Sequence, residues 1–314
     1  MPPDYDGLLD SDVRAFIAKT AESYPDGAVD LTIAEQRIFY DAMCQVFDQG
    51  RPAGVTVVER SADGVPVRVY FAGEPIQTVI YFHGGGFAVG GLDSHDDVCA
   101  EICATTGYRV ISVEYRLSPE HHRSVTFVDA WTATDWIARE YVEQDQGAGF
   151  ILAGDSAGGN LAAAVAHHAR GRLDSILGQV LIYPNLGGDF NQGSYLEHAH
   201  APMLTRDDVL YYSSLRSDGA EPSNDPWHSP LHDDDFAALP PTVIFTADCD
   251  PIRDDGRDYH ACLTAAGVSV HWINEEGLVH GYLRARTSTV RGRASFERIT
   301  VAIEALGQGV WPYD

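Results

Sequence analysis

Gly154-Asp155-Ser156-Ala157-Gly158 follows the apolar run Phe150-Ile151-Leu152-Ala153 and leads into Asn160-Leu161-Ala162-Ala163-Ala164-Val165-Ala166. The first run reads as a strand and the last as a helix, so the G-x-S-x-G pentapeptide occupies a strand-to-helix turn. A tight turn there forces the serine into a strained backbone conformation, and the flanking glycines leave room for the close approach. The serine hydroxyl is then presented at the edge of a sheet, at a helix N-terminus that favours developing negative charge.

Outward from this turn the middle of the chain alternates between strand-like and helix-like segments. Strands are expected at Gly54–Val58, Val65–Phe71, Thr78–Phe82, Arg109–Val113, Phe150–Ala153, Gln179–Tyr183, Thr242–Thr246 and Ser269–Ile273. Runs such as Val79-Ile80-Tyr81-Phe82 lack strict alternation, as strands buried on both faces of a parallel sheet do. Helices are expected at Val98–Thr106, Phe127–Glu143, Ala157–Arg170 and Asp255–Ala266. The pattern implies an α/β fold, a mostly parallel, eight-stranded, doubly wound sheet. Residues 1–50 (helical at Asp10–Ser23 and Thr32–Asp48) and 190–235 do not fit the alternation. An insertion of that size after a strand points to a functional lid. The expected organisation is a catalytic domain of residues 51–189 and 236–314 under a helical cap made of 1–50 and 190–235.

A second glycine run, Tyr81-Phe82-His83-Gly84-Gly85-Gly86-Phe87, follows a strand about 70 residues before Ser156. Successive glycines let main-chain N–H groups converge on one spot, and with the N–H of Ala157 they would bind the oxyanion of a tetrahedral intermediate. The run lacks the GK[ST] of a phosphate loop and the spacing of a dinucleotide fingerprint. A serine hydroxyl needs a base, and the base an orienting carboxylate, in the chain order Ser, Asp or Glu, His. Past the strand ending at Thr246 lie Asp248, Asp250, Asp254 and Asp255, any of which qualifies by position. His280, on a loop beyond the last strand, is selected over His260 and His271 by place and order.

Several further motifs share one order. His83-Gly84-Gly85-Gly86-Phe87 is followed by Gly90, Leu92, His95 and Asp96, then by Tyr115-Arg116-Leu117-Ser118-Pro119-Glu120. Gly154-Asp155-Ser156-Ala157-Gly158-Gly159-Asn160, Asp250-Pro251-Ile252-Arg253-Asp254 and His280-Gly281 complete the set. Over residues 79–282 the chain resembles the hormone-sensitive-lipase-like family of α/β-hydrolase carboxylesterases. The resemblance implies that Asp250, not Asp248, is the acid partner of His280. It implies that the N–H groups of Gly85, Gly86 and Ala157 form the oxyanion hole while Gly84 shapes the loop. His83 would hold that loop, with Asp155 and Glu120 as supporting residues. The implied activity is hydrolysis of short-chain acyl or aryl esters through an acyl-enzyme, without metal or organic cofactor. Amide hydrolysis or deacetylation of acylated small molecules would use the same groups. A ligand-binding receptor of the same fold is a third reading, opposed by the presence of all three triad residues. Pairing of two copies through the edge strand Ser269–Ile273 is likewise implied by resemblance alone. One departure is His121-His122-Arg123-Ser124-Val125-Thr126, where relatives carry a Pro-rich aromatic stretch; a metal site there lacks suitably spaced partners.

Composition narrows the partners. The 314-residue chain carries 46 acidic against 21 basic residues, a formal charge of −25, and Lys19 is its only lysine. Such a surface repels phosphate backbones, so nucleic acid is excluded as a partner and a small-molecule ester is expected. The five cysteines (Cys44, Cys99, Cys103, Cys249, Cys262) form no CxxC pair and suit free thiols in a reducing compartment. No signal-peptide pattern and no apolar run of membrane-spanning length is present, so a cytoplasmic location is expected. The cap segments carry Phe16, Phe39, Tyr40, Phe47, Phe190, Tyr195, Met203, Leu204, Tyr211 and Tyr212, enough for a modest apolar pocket. They show no long apolar face of the sort an interfacial lipase presents, which favours short acyl chains.

Overall fold

The computed structural model describes residues 3–25, 27–143, 149–217 and 225–313. The chain opens with α1 (Tyr5–Leu8), α2 (Ser11–Ser23) and α3 (Ile33–Phe47), followed by β1 (Thr56–Ala62), β2 (Val65–Phe71) and β3 (Thr78–Phe82). Next come α4 (Asp96–Thr106), β4 (Arg109–Val113), α5 (Arg123–Ile137), β5 (Phe150–Asp155), α6 (Ala157–Ala169) and β6 (Ile176–Ile182). Two further helices, α7 (Ser194–Glu197) and α8 (Arg206–Arg216), precede β7 (Thr242–Cys249), α9 (Arg253–Ala265), β8 (Val270–Val279) and α10 (Val290–Gly307).

The eight strands form one sheet in the order β1-β2-β4-β3-β5-β6-β7-β8. β2 runs antiparallel to both of its neighbours, and the remaining pairs are parallel. Its central strands are buried on both faces, β3 along its whole length. Val79, Tyr81, Ile151, Ala153, Val243 and Phe245 join the core under α4 and α10. Ile80, Phe82, Leu152, Leu181 and Ile244 face the other way, with residues of α5, α6 and α9. Because β3, β5, β7 and β8 are parallel, the residues just past their C-terminal ends (His83, Ser156, Asp250 and His280) emerge at one edge.

The N-terminal helices are locally encoded. Asp10 caps α2 by accepting from the N–H groups of Asp12 and Val13, and Thr32 with Glu35 forms a capping box on α3. Thr205 and Asp208 do the same for α8. The outer face of α3 leaves Ile38, Phe39 and Val46 exposed.

Several boundaries differ from expectation, three of them for identifiable reasons. β1 starts two residues later than Gly54 and runs on through polar Glu59-Arg60-Ser61, because hairpin pairing with β2 from Thr56 to Ala62 holds it. Asp63 and Gly64, both with positive φ, make the turn. β8 continues past Ile273 to Val279, since its pairing with β7 resumes at Cys249 and Val279 after a bulge. α5 begins at Arg123, where His122 supplies the capping acceptor for Ser124 N–H.

Candidate active site

Ser156 sits between β5 and α6 with φ 54° and ψ −115°, a conformation that L-residues avoid. The turn is crowded enough to require its glycines. A Cβ on Gly154 would lie 2.4 Å from the carbonyl oxygen of Gly158, and one on Gly158 would lie 1.9 Å from that of Phe82. The turn and the neighbouring strand thus leave no space for a side chain at Gly154 or Gly158.

Ser156 Oγ lies 2.9 Å from His280 Nε2, and His280 Nδ1 lies 2.7 Å from Asp250 Oδ2. Asp250 is fully buried, and its other oxygen accepts from the N–H of Ile252 at 3.0 Å. The other three carboxylates open on sequence alone are engaged elsewhere. Asp248 accepts from Asn274 Nδ2 and the Gly277 N–H, bracing the bend in β8. Asp254 accepts from Ser194 N–H at the start of α7. Asp255, buried, takes three consecutive N–H groups (Leu186, Gly187, Gly188) and the Tyr195 hydroxyl. Burial pushes the Asp255 carboxyl up to about 7.

The glycine loop lies against the same turn. Gly85 and Gly86 have positive φ, and none of the N–H groups of Gly85, Gly86 and Ala157 donates in the loop and turn hydrogen bonds among the described residues. Gly84 N–H donates to Asp155 Oδ1 at 3.0 Å, which leaves no room for a side chain on Gly84. Asp155 also accepts from the Tyr81 hydroxyl at 2.8 Å and lies 3.2 Å from His95 Nε2. Burial alone would raise the Asp155 carboxyl, but His95 and the Tyr81 hydroxyl hold it well below the usual carboxylate range. His83 stacks on Tyr115 at 4.2 Å, and its Nδ1 donates to the Gly84 carbonyl at 2.7 Å. Burial, with His95 nearby, pushes the His83 ring down to about 3, so it stays neutral at pH 7.

Glu120 is not in the site. It pairs with Arg37 of α3, whose Nε donates to the Ala88 carbonyl just beyond the glycine loop, at 2.8 Å. Arg37 also donates to the Ser118 carbonyl at 3.1 Å, so one guanidinium links the N-terminal helices to the loop. Sequence reasoning missed Arg37, for nothing local marks a residue whose partners lie 51 to 83 positions away.

A cavity of about 1110 Å³ opens over Ser156 and His280. Ile17, Tyr40 and Met43 from the first helices line it, as do Phe190, Met203, Leu204 and Tyr212 from the 190–235 region. Other aromatic residues expected in the pocket go elsewhere. Phe16 and Phe47 pack together at 5.1 Å in the core, Tyr195 is buried against Asp255, and Phe39 is exposed. Among the described residues no group of three His, Cys, Asp or Glu side chains is arranged to hold a metal, and His122 serves as a helix cap. Nor is any helix among them long and apolar enough to cross a membrane.

A parallel sheet carrying a serine on a strained strand-to-helix turn, faced by a histidine–carboxylate pair and a glycine loop, defines the α/β-hydrolase class. A family model described as the alpha/beta hydrolase fold matches residues 79–284. The chain is 38% identical over 252 residues to carboxylesterase NlhH of Mycobacterium tuberculosis, covering 74% of this chain and 78% of that one. It is 39% identical over 241 residues to esterase LipI of the same organism, covering 72% and 75%. A hyperthermophilic esterase from the archaeon Pyrobaculum calidifontis superposes with a TM-score of 0.85 at 30% identity, over 98% of this chain and 99% of that one. The chain belongs to the hormone-sensitive-lipase-like family of α/β-hydrolase carboxylesterases.

Proposed function

We propose that this carboxylic ester hydrolase cleaves short-chain acyl esters through an acyl-enzyme on Ser156. The observation that carries the reading is the unbroken line from Ser156 Oγ through His280 to Asp250, at 2.9 and 2.7 Å. His280 takes the serine proton as the hydroxyl attacks the ester carbonyl, and Asp250 orients the ring and stabilises its charged form. The developing oxyanion is held by the N–H groups of Gly85, Gly86 and Ala157, a set worth about 3–4 kcal/mol per well-placed donor. His280 then gives the proton to the leaving alcohol, and water reverses the sequence to free the acid. Helices from residues 1–50 and 190–235 act in this reading as a cap, with 51–189 and 236–314 as the catalytic core. A short acyl group is favoured because the Tyr212 ring crowds the loop, 2.6 Å from where a Gly86 Cβ would be. Two copies would pair through the edge strand β8.

The test is Ser156→Ala with 4-nitrophenyl acetate, butyrate and decanoate. The expected result is loss of turnover by roughly 10⁴-fold or more, with the wild type declining from butyrate to decanoate. Full activity in the variant would end the reading; a rising acyl-length profile would end its short-chain part. Turnover of an anilide faster than the matched aryl ester would favour an amidase instead.

A further inference from the structure

Arg216, the last residue of α8, lies inside the cavity with only 9% of its surface exposed. Its guanidinium sits 3.6 Å from the centre of the Phe87 ring, directly after the glycine loop. One terminal nitrogen donates to Asn160 Oδ1 at 3.2 Å and the other to the His228 carbonyl at 3.0 Å. Asn160 is one turn along α6 from Ser156, about 6 Å of helix rise, and both Arg216 and Ser156 line the same cavity.

A second cation shares this wall. Arg123, the first residue of α5, lines the cavity and donates to Ser217 Oγ at 3.2 Å. The Nε of each arginine is buried without a hydrogen-bond partner, and neither guanidinium meets a carboxylate among the described residues. Both ring nitrogens of His228, on the same wall, are also buried and unpartnered. Arg286 is neutralised by Asp97 and Glu101, and Arg68 by Glu59, Asp93 and Asp96, while Arg284, elsewhere on the cavity wall, donates to the Tyr40 hydroxyl at 2.7 Å. In a chain with 46 acidic residues, two neighbouring cavity cations that meet no carboxylate among the described residues are a specific arrangement. Burial and the nearby Arg123 already push Arg216 down to about 9, the sign of a cation short of an anion.

The geometry points to an anion subsite, in which Arg216 and Arg123, with His228 beside them, bind a carboxylate carried by the ester substrate. The preferred substrates are then esters bearing a free carboxylate, of the half-ester type, with the carboxylate seated on the arginines while the ester carbonyl reaches Ser156. This deepens the esterase reading and rests on it. A planar carboxylate accepts from guanidinium donors in matched geometry, and a neutral analogue leaves those donors unpaired. The strongly negative surface repels anions at long range, so selectivity for one has to come from local cations of this kind.

The experiment compares mono-4-nitrophenyl glutarate with the corresponding neutral methyl ester, measuring kcat/KM for each. The wild type is expected to prefer the anionic ester by about tenfold or more, and Arg123→Gln to reduce that ratio about tenfold. Arg216→Gln should abolish the preference; Arg123, only half-buried, serves where the Arg216 variant fails to fold. A wild-type ratio at or below one, or a ratio indifferent to Arg123→Gln, overturns the proposal. If neither ester is turned over, the esterase reading fails instead. Calorimetric binding of glutarate to wild type and Arg123→Gln then decides the subsite alone: weakened binding supports it, and equal or absent binding overturns it.

Discussion

The carboxylate of Asp155, the residue immediately before Ser156, accepts a hydrogen bond at 3.0 Å from the main-chain N–H of Gly84. The residue preceding the candidate nucleophile therefore fixes the loop that carries the candidate oxyanion donors. Removing that carboxylate should leave the serine present and its electrostatic partners misplaced. Asp155→Ala is expected to lower kcat for 4-nitrophenyl acetate roughly hundredfold, since displacements near 1 Å cost about that much. Asp155→Asn, which keeps an acceptor for Gly84, should lose less. Steady-state kinetics on both variants, with thermal unfolding to monitor folding, checks the order.

Asp250 and Asp248 are two residues apart and bond to different partners, Asp250 to His280 and Asp248 to Asn274 and Gly277. Asp250→Asn should cut kcat by about 10⁴-fold, because the amide favours the wrong tautomer of the histidine. Asp248→Asn should change kcat by no more than a few-fold while lowering the melting temperature, as it loosens the bend at Gly277. Equal effects on kcat would contradict the separation.

Arg37 predicts an asymmetry between the partners of one ion pair. Glu120 is half exposed, so Glu120→Gln should cost under about 1 kcal/mol of stability. Arg37→Ala should cost more and also reduce kcat/KM, because the Ala88 and Ser118 carbonyls lose their donor as well. Urea unfolding and kinetics of the two single variants and the double variant give the comparison.

The buried His83 links stability to pH. Its folded-state pKa of about 3 lies below the ordinary histidine value near 6.5, so the unfolded chain binds the proton first. Stability contributed by the neutral ring is present above about pH 6.5 and is lost as pH falls towards 3, by up to about 1.4 kcal/mol per pH unit. Urea unfolding from pH 7 to 4.5 should show this slope, shallower in His83→Asn. An NMR titration placing the His83 ring near 6.5 in the folded protein would refute it.

The strained Ser156 turn, the parallel core and the glycine loop were legible in the sequence because each is local: β-branched runs, a glycine pattern, a helix start. The choice among Asp248, Asp250, Asp254 and Asp255 was not local, since all four follow the same strand and only their tertiary partners separate them. The same limit hid Arg37 and Arg216, whose contacts come from segments far apart in the chain. It also displaced the ends of β1 and β8, where pairing with a neighbour carried strands through polar residues that composition alone would exclude. Of the eight aromatic residues the cap segments offered for a pocket, only Tyr40, Phe190 and Tyr212 line the cavity, while Phe16, Phe47 and Phe39 are packing or surface residues.

Ser156 holds a backbone conformation, φ 54° and ψ −115°, that glycine adopts freely and serine does not. Residues so placed raise the energy of the folded chain by about 1–3 kcal/mol. Ser156→Gly should therefore melt several degrees above the wild type while being inert, whereas Ser156→Ala, with its Cβ, should gain nothing. A search for thermostable variants that screened only for survival on heating would be drawn to this codon. Selection for activity alone keeps the less comfortable residue in place.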